Sequence, residues 1–256
     1  MTRIFSEDQV LKEANRRLSF PVPAATSDLV IFAQVHPLAA SYIPLLSRYL
    51  ANGSKLEACI LSLDIRKSTT LMLNAKSPSA FAIFVQQFQA EMRSEVIQNF
   101  GIFDKFTGDG ILSFFPSFYS GPSAHLLALR VAKKAQHVFQ KHFQQTIQNF
   151  YSIPSGIGIG AGIDFGEVEV LDTGTCRTVV GVPVVYACRL ASGASGTVLL
   201  NHNAQRLVFR DTQFAGESVD FQIKGGDSIK VFDFSTMPDC KAKDPDWIEK
   251  QPKEPS

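Results

Sequence analysis

The chain has 256 residues, enough for one large domain or two small ones. Apolar residues make up 45% and charged residues 19%, so a packed core is expected and intrinsic disorder is excluded. Lys and Arg number 25 against 24 Asp and Glu, a net charge of +1. That balance argues against a nucleic-acid coat or a polybasic membrane binder, though not against one small charged site. The four cysteines, Cys59, Cys176, Cys188 and Cys240, form no CxxC pair and have no histidine cluster beside them, so zinc and redox readings fail. The N-terminus lacks a signal-like apolar stretch, and no run of about 18 apolar residues spans a membrane. The expectation is a soluble cytoplasmic protein without a nucleic-acid or membrane partner.

In chain order, Ser6 reads as the N-cap of a helix that ends before Pro21, and a second helical stretch covers about 38–50. Residues 1–53 are therefore expected to form an N-terminal helical extension. The nearly continuous apolar run from Glu57 to Ile65 suits a buried central strand ending on Asp64. A helix over about 78–99 follows, with Phe81, Phe84, Val85, Phe88, Met92 and Val96 on one face. Two short alternating runs flank Gly108-Asp109-Gly110 and read as a β-hairpin.

Pro122 opens a long amphipathic helix to about Phe150. Residues 156–163 alternate glycine with apolar residues, the mark of a strand whose bare face lets another element pack closely. A helix over about 183–192 and strands near 197–200, 219–224 and 229–234 follow. The polar segment 237–256 reads as a flexible tail. The order β-α-β-β-α-β predicts an α+β sandwich with a ferredoxin-like split βαβ core and extra C-terminal strands, over residues 54–236.

In such a core the first strand lies beside the hairpin, so Asp64 and Asp109 converge. Two carboxylates beside a glycine-bearing turn suit Mg²⁺ or Mn²⁺, which take oxygen ligands and keep waters. Taken singly, Asp64 is as simply a helix cap and Gly108-Asp109-Gly110 a turn; as a pair in this order they favour the metal reading. Lys67, Ser68 and Thr69 follow the strand at a helix start, suited either to a phosphate or to ordinary solvation. Arg189 sits in an apolar helix, either paired in the core or facing a charged ligand. Gly156-x-Gly158 does not fit a dinucleotide fingerprint, because strand-like residues follow instead of a helix.

These residues, in this order, resemble the class III nucleotidyl cyclases, the family of adenylate and guanylate cyclase catalytic domains. The resemblance covers residues 54–235 in five motifs: Leu63-Asp64-Ile65 with Thr69; Lys105 to Leu112; Gly156 to Glu167; Val180-Gly181 through Leu190; and Phe221 to Gly225. It implies conversion of a nucleoside triphosphate to a 3′,5′-cyclic nucleotide and diphosphate, with two divalent cations (Mn²⁺ or Mg²⁺) held by Asp64, Asp109 and the Ile65 carbonyl. It further implies that Lys67, Ser68, Thr69 and Lys224 bind phosphates, that Arg189 stabilises charge on the α-phosphate, and that Lys105, Thr107 and Thr178 face the base. A head-to-tail homodimer with sites at the subunit interface is implied as well.

The sequence departs from the family pattern at four places. Val185 replaces the asparagine expected four residues before Arg189. Lys67-Ser68 replaces the common Gly-Phe, Lys105 is paired with Thr178 rather than Asp, and Thr107 replaces a bulkier apolar residue. The length and Asp-Ile-Arg-Lys-Ser-Thr resemble the small bacterial pyrimidine cyclases of anti-phage signalling, which make cyclic UMP or cyclic CMP. An adenylate cyclase, supported by Lys105 and Thr178, and a degenerate nucleotide-binding regulatory domain, supported by Val185, are the alternatives. A ferredoxin-like nucleic-acid module is opposed by the neutral charge.

Overall fold

The computed structural model describes residues 48–172, 177–193, 196–223 and 228–248. The expected N-terminal helices as far as residue 47, Cys176, Lys224 and the last residues of the tail lie outside them; residues 48 and 49, at the end of the second expected helix, are helical.

Strand β1 (Lys55–Arg66) is the spine of the sheet. Its apolar run is continuous because both faces are covered, as expected for a central strand. Cys59, Leu61, Leu63 and Ile65 point into one core, while Ala58 and Ile60 point into a second. A short helix α1 (Ser68–Leu73) follows, then α2 (Pro78–Gln98). The Ser77 side chain caps α2 by accepting from the Ala80 amide at 3.2 Å, and Pro78 stands in the first turn, where its missing N–H is harmless.

The hairpin strands are β2 (Ile102–Thr107) and β3 (Gly110–Pro116). The short α3 (Ser117–Ser120) and the long α4 (Ala124–Thr146) lead to β4 (Gly158–Asp172). The sheet order begins β2-β3-β1-β4, with each adjacent pair antiparallel, which is the expected split βαβ core. Helices α2 and α4 cover one face through an aromatic cluster; Phe84, for example, meets Phe139 edge-on at 5.6 Å.

On the opposite face, β5 (Arg177–Val180) pairs with the end of β4, and Val179 packs with Ile60, Leu112 and Phe114. Helix α5 (Val182–Gly193) lies on the glycine face of β4. A Cβ at Gly162 would stand 2.1 Å from the Ala187 carbonyl oxygen, and one at Gly166 would stand 2.9 Å from Pro183. Of the alternating glycines, Gly162 serves the close helix packing that the pattern implied, and Gly166 beyond the run does the same, whereas Gly158 does not face α5.

Beyond β4 the sheet continues through β6 (Val198–Leu200), parallel to β4, then β8 (Ser228–Asp233) and β7 (Glu217–Gln222). Helix α6 (His202–Thr212), absent from the sequence expectation, connects β6 to β7. The segment expected to be a flexible tail from residue 237 is packed in its described part. Met237 and Trp247 are buried, and the Trp247 indole donates to the Tyr119 carbonyl at 2.7 Å. One anchoring tryptophan outweighs the polar composition around it.

Candidate active site

Asp64 shares its side of β1 with Ser62, on the face that carries α5, because side chains alternate along a strand. Asp109 occupies the β2–β3 turn. The turn lies against β1 beside Asp64: a Cβ on Gly110 would fall 2.2 Å from the Leu63 carbonyl oxygen. Gly108 has φ +76°, which glycine supplies without strain. The two carboxylates therefore converge, as expected from the split βαβ order.

Asp64 is half-buried. Burial raises its carboxyl above the ordinary aspartate range, a hydrogen bond from Arg66 opposes this, and the nearby Asp109 charge adds to the rise. Arg66 Nη1 stands 2.7 Å from Asp64 Oδ2 and supplies the local countercharge. Asp109 Oδ2 is buried and has no hydrogen-bond partner among the described residues. A buried carboxylate oxygen without a partner is costly unless a cation or donor reaches it. The donor set therefore fits a hard divalent cation completed by water. Among the described residues no group of three or more His, Cys, Asp or Glu side chains gathers, so this is a two-carboxylate site.

Lys67 adopts a left-handed conformation, φ 61°, at the start of α1, and no side chain caps that helix. Lys67 and Thr69 are exposed and Ser68 is half-buried, all directly beyond Asp64. Asp64 therefore does not cap α1, whose N-cap is Lys67.

Lys105 and Thr178 meet. Lys105 Nζ donates to Thr178 Oγ1 at 2.8 Å, bridging β2 and β5. Thr178 Oγ1 in turn donates to Asp104 Oδ2 at 2.8 Å. Asp104 is the extra residue of an irregularity in the β2–β3 ladder, which lets two consecutive residues reach the same partner. Burial raises the Asp104 carboxyl, opposed by Thr178, Lys105 and the Val179 amide. Thr107 is exposed at the end of β2.

Arg189 is exposed on α5 and makes no ion pair among the described residues, so the core-paired option falls away. Val182 and Val185 share its side of the helix, at three- and four-residue intervals, and are 67% and 58% exposed. Sequence reasoning missed three contributors: Asp104, Arg66 and Gln89. Gln89 Nε2 donates to the carbonyls of Gly108 and Gly110, on either side of Asp109.

The sequence matches no protein-family model and no curated protein. Solved structures do match. The chain is similar to the guanylyl cyclase Cya2, with 23% identity and a TM-score of 0.59 over 71% of this chain and 93% of that one. It is similar to the adenylyl cyclase CyaB from P. aeruginosa, with 21% identity and a TM-score of 0.60 over 71% and 95%. It is also similar to the guanylate cyclase domain of RhGC from Catenaria anguillulae, with 16% identity and a TM-score of 0.58 over 70% and 97%. The fold is thus that of the class III adenylyl and guanylyl cyclase catalytic domains. No described helix is long and apolar enough to cross a membrane.

Proposed function

We propose that this chain is a divalent-metal-dependent nucleotidyl cyclase. The observation that carries the reading is the convergence of Asp64 and Asp109, with a buried Asp109 oxygen that has no hydrogen-bond partner among the described residues, on a cyclase-type fold. Asp64, Asp109 and the Ile65 carbonyl would hold two Mn²⁺ or Mg²⁺ ions. When bound, these supply the Lewis acidity that favours the ribose 3′-alkoxide and neutralises the triphosphate. Lys67, Ser68, Thr69 and Lys224 bind phosphates. Arg189 stabilises charge building on the α-phosphate. Lys105, Thr107 and Thr178 face the base.

Each site is completed by a second copy of the chain. Val182, 67% exposed on the side of α5 that carries Arg189, supports this, since an exposed apolar side chain beside a cation with no ion pair among the described residues suits a partner surface. Within the class we propose a cytoplasmic pyrimidine cyclase, making cyclic UMP or cyclic CMP as a second messenger in bacterial antiviral defence. The chain length, Asp64 to Thr69 and the departure at the base-facing Thr107 support that branch. The 2.8 Å Lys105–Thr178 contact favours adenylate cyclase as the second reading.

The test is incubation of the purified chain with ATP, GTP, CTP and UTP plus Mn²⁺, with products resolved and Asp64→Ala and Asp109→Ala as controls. A cyclic product lost in both variants is expected. No product from any nucleotide, or a product that survives both substitutions, overturns the reading.

A further inference from the structure

The Lys105–Thr178 contact has a third member whose position fixes its chemistry. Asp104 Oδ2 lies 2.8 Å from Thr178 Oγ1 and 3.4 Å from the Val179 amide nitrogen. A carboxylate only accepts, so the Thr178 hydroxyl proton is committed to Asp104. Lys105 Nζ uses one lone pair of the same oxygen at 2.8 Å. What remains for a ligand is one acceptor lone pair on Thr178 and the unused ammonium protons of Lys105. A threonine hydroxyl without Asp104 would rotate and serve as donor or acceptor alike. Asp104 Oδ1 is buried with no hydrogen-bond partner among the described residues. Keeping a carboxylate so incompletely satisfied at this point is unfavourable for folding alone, which points to a role in the site.

The two partners also differ in depth. Thr178 is 8% exposed, while Lys105 is exposed on the edge strand. The substituent that projects furthest from a base edge therefore meets the recessed Thr178, and the adjacent ring nitrogen meets the Lys105 ammonium. Because Thr178 is held as an acceptor, that substituent must be an N–H donor. An exocyclic carbonyl there would set two acceptors against each other, and such unpaired polar contacts are strongly discriminating.

We propose that Asp104 is a positioning residue that sets base selectivity: by holding the Thr178 hydroxyl proton it makes the subsite take an amino group at pyrimidine C4 or purine C6, as in cytosine or adenine, over the carbonyl that uracil and guanine carry there. This rests on the cyclase reading and narrows it; of the two pyrimidine products, it selects cyclic CMP.

The experiment takes the full chain with Mn²⁺ and measures kcat and KM for ATP, CTP, GTP and UTP. Displacement of a fluorescent methylanthraniloyl nucleotide by the same four is followed in parallel. In the unsubstituted protein, kcat/KM for CTP or ATP is expected at least about tenfold above both UTP and GTP. Asp104→Ala is expected to bring all four within about threefold, mainly through KM, while Asp104→Glu restores part of the preference. If the alanine variant does not fold, Asp104→Asn serves. Its carboxamide N–H₂ can donate to Thr178, releasing that hydroxyl to turn donor, so UTP and GTP should gain.

A folded Asp104 variant that keeps the original order of bases overturns the proposal and leaves the cyclase reading standing. So does an unsubstituted protein that prefers UTP or GTP. If nothing is cyclised, the cyclase reading fails and displacement decides the rest. A preference for CTP or ATP that is lost in the Asp104 variant upholds the subsite; an unchanged order, or no displacement by any nucleotide, overturns it.

Discussion

Gln89 on α2 donates a 2.9 Å hydrogen bond to the Gly108 carbonyl and so ties the helix to the turn that carries Asp109. The same nitrogen reaches the Gly110 carbonyl at 3.3 Å, which makes the buried carboxamide a clamp across the turn. Losing buried hydrogen bonds to two carbonyls costs about 1–3 kcal/mol, spent locally on the turn because the rest of α2 is held by its aromatic face. Gln89→Ala is expected to weaken Mn²⁺ binding by about tenfold while the melting temperature falls by only a few degrees. Calorimetric metal titration beside a thermal melt checks this; unchanged metal affinity would remove the clamp from the account of the site.

The close seat of α5 on β4 gives a sharper contrast between two glycines of one strand. A methyl on Gly162 would stand 2.1 Å from the Ala187 oxygen and 2.6 Å from the Ala191 nitrogen, both backbone atoms of a helix that cannot yield without moving. A methyl on Gly158 would meet only Gly196, at 3.7 Å, an ordinary contact. Gly162→Ala is therefore expected to destabilise by about 3 kcal/mol or more, and Gly158→Ala by less than about 1 kcal/mol. Urea unfolding of the two variants measures the difference. Equal midpoints would mean that α5 is not seated on the glycine face.

The same contrast shows which parts of the molecule were legible in the sequence. Period-two glycines, the apolar run of β1 and the phenylalanine stripe of α2 are direct imprints of burial, and they fixed the βαββαβ order. Asp64 and Asp109 were legible because that order brings a strand end and a hairpin turn together. Helix α6 was not, since only Ala204, Gln205 and Val208 of its residues are buried. Trp247 was hidden by its polar neighbours. The apolar helix around Arg189 leaves core pairing open in the sequence, and only the structure shows that this side of α5 faces outward. Asp104 was invisible for a different reason: strict alternation puts neighbours on opposite sides, and only the ladder irregularity turns Asp104 and Lys105 toward one threonine.

Lys67 carries a stability consequence of its own. Its φ of 61° is disfavoured for a residue with a Cβ by about 1–2 kcal/mol, while glycine adopts it freely. Glycine's larger loss of freedom on folding offsets part of the gain. Lys67→Gly should therefore raise stability by about 0.5–1 kcal/mol, seen as a higher denaturant midpoint with an unchanged slope. A lower midpoint would show that the lysine side chain holds the turn.

Acid should weaken the α4–α6 contact. His125 is buried, and its Nε2 lies 2.9 Å from Asp211 Oδ2 but outside hydrogen-bond alignment. Burial pushes the imidazole below the ordinary histidine range; Asp211 opposes this and Arg210 adds to it. The unfolded chain then takes up a proton that the folded chain resists. Stability is full above pH about 6.5 and falls as pH drops below it, by up to about 1.4 kcal/mol per pH unit until the folded form is protonated too. Melting curves between pH 8 and about pH 5 should show this slope, and His125→Gln should flatten it. An identical slope in the variant would assign the effect to other groups.

Val185 separates two roles for the outer side of α5. It is 58% exposed, and valine and asparagine have similar helix propensities, so Val185→Asn should leave the fold intact. If the residue faces the ribose and α-phosphate of a substrate, the new carboxamide adds a donor where charge develops. kcat should then rise by about tenfold with little change in KM. If Val185 instead packs with Val182 against a second copy, a polar side chain loses apolar burial there. Activity would then fall with dilution, and sedimentation would show more monomer. The proposed cyclase predicts the first result; a rate unchanged at every protein concentration would place Val185 in neither surface.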